Sequence, residues 1–258
     1  MSKTKTLKAI IPAATKGNRM KPLSDFLPKT LLPIDGKELI IDHTLKFLEK
    51  VGVTDVCIVL EEKFYDVVQE SIDRGYKGTC KIHYKVQKEI NGIGFALLMF
   101  EEEIGDSNFI LMFPDIFHPE LDNLDVEIFQ NPHIVALPNI ESNKYVGNWA
   151  VETDGESVKG FTYMTEDMFK ADTHQSVHSP LTLPPEVFSK LAALKEDSEK
   201  YQNGEFQLVD AIQALIDDGI GFKMTTAGGY FKNINSIEDY GDVLRYHVCG
   251  TKNISTLL

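Results

Sequence analysis

Short apolar runs alternate with segments of helical spacing through the first half of the chain. Leu7 to Pro12 (LKAIIP) is apolar and runs into small residues, the pattern of a buried strand feeding a loop. Leu39 to Val51 carries Leu39, Ile40, His43–Thr44, Phe47 and Leu48 at helical spacing, and Gly52 can end that helix. Asp55 to Leu60 (DVCIVL) is continuously apolar and predicts a strand buried on both faces. Phe64 to Ile72 predicts a second helix ending before Gly75. Lys81 to Val86 (KIHYKV) predicts a third strand, Ile93 to Ile104 a third helix and Asn108 to Pro114 (NFILMFP) a fourth strand. Such alternation implies right-handed crossovers and a largely parallel sheet. Sheets of this kind bind ligands at the carboxyl ends of their strands, where the Ala13–Arg19 loop and Asp115 fall.

The second half is less regular. His133 to Leu137, Asn148 to Glu152, Val158 to Met164, Pro180 to Pro184, Ile220 to Thr225 and Gly229 to Ile234 predict strands. Pro184 to Leu194 predicts a helix. Gln207 to Ile216 predicts another, with Leu208, Ala211, Ile212, Leu215 and Ile216 on one face. Ile237 to His247 predicts the last helix. No Pro- or Ser-rich linker and no internal repeat divides the chain. The expectation is one α/β domain over residues 1–258, a Rossmann-like, mixed but mainly parallel sheet flanked by helices. The second half would be inserted over that sheet. Residues 7 to about 120 form one half, about 130–235 the other, and 237–258 a C-terminal helix and tail.

Composition narrows the function. The chain's 258 residues can bury a sizeable core. Its net charge of −13 argues against a nucleic-acid surface, which needs a basic stripe. No apolar run approaches membrane-spanning length, and the run behind the basic MSKTKTLK is too short for a signal-peptide core. A cytoplasmic protein with no membrane partner is expected. Cys57, Cys80 and Cys249 are scattered and odd in number, so they predict neither a disulfide framework nor a metal site. Cys57 reads as a small buried hydrophobe.

Against this acidity, Lys16, Arg19, Lys21 and Lys29 lie close together around a loop of small residues. Backbone N–H groups and cations converging there would cradle a phosphate. Asp115 directly follows the fourth strand. A carboxylate there can reach a Mg²⁺ ion held by ligand phosphates, because Mg²⁺ takes one or two carboxylates plus phosphate oxygens. Each feature also has an ordinary counterpart, a solvated basic face in one case and a turn aspartate in the other.

The spacing carries more. Ala13, Ala14, Thr15, Lys16, Gly17, Asn18, Arg19, Met20, Lys21, Pro22, Leu23, Ser24 are followed by Pro28, Lys29, Thr30, Leu31, Leu32, Pro33. This stretch resembles the signature of the sugar-phosphate nucleotidyltransferases, or NDP-sugar pyrophosphorylases: A-A-G-x-G-T-R-(L/M)-x-P-(L/A)-T, then P-K-x-(L/M)-L-P. Thr15 replaces the first glycine and Asn18 the threonine. Gln87 to Leu98 (QKEINGIGFALL), with Gly92, Gly94 and Ala96, resembles the GLGHAVL-like segment of bacterial UTP–glucose-1-phosphate uridylyltransferases. Pro114–Asp115 fits the place of the metal aspartate, and Tyr145-Val-Gly147 that of a Y-G-V element. Gly204 to Ile212 (GEFQLVDAI) is similar to G-E-(L/I)-Q-L-T-D-A-I. Asn233 to Tyr240 (NINSIEDY) is similar to D-I-G-T-P-E-D-Y. The resemblance runs from residue 7 to about 245, and the glucose-1-phosphate thymidylyltransferases share it.

The resemblance implies the nucleotide-diphospho-sugar transferase fold, with a nucleotide-binding first half and a sugar-binding second half. It implies a transferase that joins a pyrimidine triphosphate (UTP or dTTP) to a sugar 1-phosphate with Mg²⁺, releasing pyrophosphate. Arg19, Lys29 and Asp115 would be catalytic. Ala13, Ala14, Gly17, Gln87 and Gly92 would bind the nucleotide, the glutamine amide offering a donor and an acceptor to a pyrimidine edge. Gly147 and Glu205 would face the sugar, and Asp115 and Asn233 the metal. Family members are often dimers or tetramers, which leaves a homo-oligomer open. Three positions depart from the pattern. Asn233 stands where a second metal aspartate is expected, Met164 where a sugar-phosphate lysine is, and Val177-His178-Ser179-Pro180-Leu181 where N-A-G-x-Y is. These departures motivate weak activity, or the alternative of a catalytically impaired nucleotide or nucleotide-sugar binding protein. His174 and His178 lack carboxylate or cysteine companions in sequence and read as surface or sugar-contact residues.

Overall fold

β1 (Leu7–Pro12) lies inside a sheet covered on both faces, which is why it is apolar without alternation apart from Lys8, whose ammonium donates to the Ile104 carbonyl at 3.1 Å. The computed structural model describes residues 6–15, 17–35, 38–88, 92–137, 149–165, 175–197 and 206–249. Ala9 and Ile11 point to one face of the sheet and Ile10 to the other. β2 (Val53–Glu61) divides in the same way, with Val56, Ile58 and Leu60 opposite Cys57 and Val59. α1 (Ile40–Lys50) and α2 (Tyr65–Gly75) cover the first face through Ile41, Leu45, Leu48, Val68 and Ile72. The second face is covered by α3 (Ile93–Leu98), α4 (Glu101–Ile104), α5 (Val187–Glu196) and α6 (Leu208–Asp217).

The remaining strands are β3 (Lys81–Gln87), β4 (Phe109–Leu111), β5 (Ile116–Phe117), β6 (His133–Leu137), β7 (Trp149–Asp154), β8 (Ser157–Tyr163), β9 (Ser176–Leu183), β10 (Lys223–Thr226) and β11 (Lys232–Asn233). Among the described residues, nine of the eleven strands form one sheet in the order β3-β2-β1-β4-β9-β6-β10-β8-β7, and β5 and β11 form a separate two-stranded ribbon. The sheet is mixed. β3-β2-β1-β4 is parallel, as is β6 with β10, while β9 runs antiparallel to both β4 and β6. The second half is therefore not laid over the sheet. It extends the same sheet sideways, with β9 as the splice. α7 (Ile237–Cys249) closes a third, smaller core in which Val243 meets Met20, Leu32, Ile34, Phe117 and Ile234.

Other differences from the sequence pattern have local causes. The helix expected over 93–104 breaks at Met99 and Phe100, where Phe100 turns inward and is fully buried. β9 starts at Ser176 rather than Pro180 because its first residues are polar yet buried, Ser176 and His178 among them. Cys57 is buried as expected, and burial pushes its thiol up to about 12. Among the described residues, no helix is long and apolar enough to cross a membrane.

Candidate active site

The carboxyl ends of β1, β3 and β4 open onto one cleft of about 330 Å³. Pro12, Ala14 and Thr15 reach it from β1, Gln87 from β3, and Phe113 and Asp115 from β4. Gly92, Ile93 and Ala96 at the start of α3 and Asn233 of β11 complete the wall. A second cavity of about 200 Å³ is lined by Thr15, Gly17, Asn18, Arg19, Lys29 and Asn235. Thr15 lines both, so the two adjoin.

The loop after β1 is shaped by Gly17 and Ser24. Gly17 is left-handed, with φ 55°, and a Cβ there would lie 2.9 Å from the Ser24 Cβ. The Ser24 hydroxyl donates to the Gly17 carbonyl at 2.8 Å. The 3-10 turn that follows, Asn18–Met20, drops Met20 into the third core and leaves Arg19 exposed at the second cavity. Ala13 is placed differently from its neighbours. It is buried in the core, and its N–H is taken by the Val59 carbonyl at 2.9 Å. Its part is to hold Ala14 on the cleft wall.

Lys29 begins a 3-10 turn and runs inward, 6% exposed. Its ammonium donates to Asp115 Oδ2 at 3.1 Å and to Asn235 Oδ1 at 3.0 Å. Asp115 and Asn233 are brought together by the ribbon. Ile116 pairs with Asn233, and the Ile234 N–H donates to the Asp115 carbonyl at 2.8 Å. Gln87 ends β3 opposite Glu61 and is 6% exposed. Its Nε2 is buried without a hydrogen-bond partner among the described residues. A buried amide donor left unpaired is costly, and its place on the cleft wall points to a partner that enters the cleft.

Gly94 acts through packing. A Cβ there would lie 2.0 Å from a ring carbon of Phe206, so only glycine lets α3 close on that ring. Gly92, at φ 94°, starts the helix in a conformation that favours glycine. Gly147 and Glu205, expected at the sugar, lie outside the described residues, as do Tyr145 and His174. Met164 is buried at 3% exposure. His178 is neither a surface nor an open contact residue. It is buried, with its Nε2 3.3 Å from His118 Nδ1, and His118 Nε2 lies 2.9 Å from the Gly228 carbonyl. Because a carbonyl only accepts, His118 carries its proton on Nε2 and accepts from His178. Burial holds His118 low and pushes His178 down to about 3.

Asn235 is the site residue that sequence reasoning missed. Its only signal was an amide where the resemblance has glycine, and Lys29, its partner, is 206 positions away.

Known proteins similar to this chain share its fold. The family described as Nucleotidyl transferase matches residues 8–122. A low-salt glycan biosynthesis nucleotidyltransferase of Haloferax volcanii is 24% identical over 236 residues, covering 90% of this chain. The chain spans 64% of that relative's length. A UTP–glucose-1-phosphate uridylyltransferase of Bacillus subtilis is 28% identical over 242 residues, with 82% of this chain and 80% of that protein covered. Among solved structures, a UDP-glucose pyrophosphorylase complexed with UDP-glucose superposes with a TM-score of 0.77 at 19% identity, over 95% of this chain and 99% of that one. Residues 8–122 thus match the nucleotidyl transferase family model, and nearly the whole chain shares the fold of that solved structure.

Proposed function

We propose that this chain transfers a nucleotidyl group from a pyrimidine nucleoside triphosphate, UTP or dTTP, to a sugar 1-phosphate. A sugar-phosphate oxygen attacks the α-phosphorus, the bond to the bridging oxygen breaks, and pyrophosphate leaves. The observation that carries the reading is Gln87, whose unpaired Nε2 is buried on the wall of the cleft that Asp115 also lines. An amide there can donate to a base carbonyl and accept from a ring N–H, as a pyrimidine requires. The adjoining cavity, with Arg19 and Lys29, takes the phosphates.

The donor set fits Mg²⁺. Asp115 and Asn233 offer hard oxygens on one cleft wall, and no group of three His, Cys, Asp or Glu among the described residues forms an all-protein metal cage. Such a pair suits an ion shared with phosphates. When bound, the ion would neutralise developing phosphate charge. The chain's own residues position the reactants. Gln87 and Gly92 seat the base, the backbone at Ala14, Thr15 and Gly17 together with Arg19 holds the phosphates, and Lys29 presents its ammonium where the two cavities join.

Asn233 and the buried Met164 favour a second reading, a nucleotide-binding chain that turns over poorly. One matrix assay separates the two. Several nucleoside triphosphates are crossed with several sugar 1-phosphates, and both pyrophosphate release and nucleotide binding are measured. UTP or dTTP should bind more tightly than ATP or GTP and release pyrophosphate with at least one sugar. Pyrimidine binding without any release moves the chain to the second reading. Equal or tighter purine binding removes the role of Gln87.

A further inference from the structure

Asp115 has two claims on it. In the structure it is the ion-pair partner of Lys29. Under the proposed function it also takes a divalent cation beside the phosphates. The two conflict, because a divalent cation on Asp115 withdraws the charge that holds the ammonium and repels it. Lys29 is too buried to lose its acceptor without cost. Asn235 removes the conflict. Its oxygen is a second acceptor for the same ammonium, and it carries no charge for a metal to compete for.

That oxygen is built into place from two directions. The Ile234 N–H is bonded to the Asp115 carbonyl. The N–H groups of Asn235 and Ser236 donate to Asp239 Oδ2 at 3.1 and 2.9 Å, at the start of α7. The Asn235 backbone is therefore anchored between β11 and α7, and its side-chain oxygen reaches Lys29 from that fixed position. It also lines the cavity that holds Arg19.

We propose that Asn235 is a positioning residue that keeps the Lys29 ammonium at the junction of the two cavities when a divalent cation takes Asp115. The inference rests on the nucleotidyltransferase reading for the identity of the phosphates, but its central claim is testable without nucleotide. Mn²⁺ binding is followed by electron paramagnetic resonance in the wild-type chain, Asn235→Ala, Lys29→Met, Lys29→Ala and each Lys29 variant combined with Asn235→Ala. Thermal melting checks that each variant is folded.

Without lysine, Mn²⁺ should bind about tenfold tighter or more, since a charge-assisted contact no longer competes. Without Asn235, the ammonium leans wholly on Asp115, and Mn²⁺ should bind about fivefold more weakly than in wild type. In either Lys29 background, removing Asn235 should change nothing. That coupling is what a merely structural role cannot produce. Equal Mn²⁺ affinity in wild type and Asn235→Ala overturns the proposal, and so does an equal loss in the Lys29 backgrounds. Calorimetry with UTP is run beside it. If the Mn²⁺ order holds but UTP does not bind, the nucleotidyltransferase reading fails while the placement of Lys29 by Asn235 stands.

Discussion

Arg19 and Lys29 are both cations at the second cavity, but they differ in kind. Arg19 is exposed and carries a planar fork suited to phosphate oxygens, while Lys29 is buried and already paired. Arg19→Ala should therefore leave the fold intact and weaken triphosphate binding by roughly 1.5–3 kcal/mol, about 10- to 100-fold by calorimetry. Undiminished affinity with unchanged turnover would sink its assignment. Asn233 tests the metal side. It lines the cleft with Asp115 and is exposed, so a carboxylate fits there without burial. Asn233→Asp should tighten Mg²⁺ binding and raise pyrophosphate release at limiting Mg²⁺. A slower enzyme at every Mg²⁺ concentration would mean that the amide is itself a working part of the site.

At the scale of elements, the site depends on how closely α3 can approach Phe206. Gly94→Ala forces a methyl group against that ring, and overpacking of this kind costs roughly 1–3 kcal/mol. At about 2–4 °C per kcal/mol for a chain of this size, the melting temperature should fall by several degrees. Phe206→Leu in the same background should recover part of the loss. If Gly94→Ala melts like wild type, the ring is free to move and α3 is not pinned. This contact also shows what the sequence could tell. The strands buried on both faces, β1 and β2, were legible from their apolar runs Ala9–Pro12 and Val56–Leu60, and Asp115 and Gln87 were legible from the resemblance, Gln87 as the last residue of β3 and Asp115 just beyond β4. β9 was obscured by the buried polar residues Ser176, His178, Ser179 and Thr182, of which His178 and Ser179 have hydrogen-bond partners that no periodicity reports. β11 falls inside the strand expected over Gly229 to Ile234, but β5 is two residues long, too short for any pattern, and it is their pairing that sets Asn233 and Asn235 against Asp115 and Lys29.

The whole molecule should be acid-sensitive for a reason apart from its carboxylates. His43, His118, His133 and His178 all have their pKa lowered, chiefly by burial. A histidine whose folded pKa lies below 6.5 binds its proton more readily in the unfolded chain. Stability is then full above the unfolded value and is lost as pH falls below it. For His178 the window runs from 6.5 down to about 3, at up to about 1.4 kcal/mol per pH unit. Asp55, held below 3.8 by its hydrogen bond to His83, weakens the fold only at lower pH. Urea midpoints should therefore already drop between pH 7 and pH 5. His178→Gln, which can still donate to His118, should flatten that slope, and an unchanged slope would count against the buried pair. The ribbon that joins the two ends of the site has a consequence in time. Lys29 and Asn235 are separated by 206 positions, which at about 5–20 residues per second is roughly 10–40 s of synthesis. Throughout that interval a growing chain carries the loop after β1, Lys29 and, later, Asp115, but neither Asn233 nor Asn235. The junction where both cavities meet is assembled only when the segment leading into α7 arrives, so an unfinished chain has the loop after β1 on one side and lacks the opposite wall of the cleft.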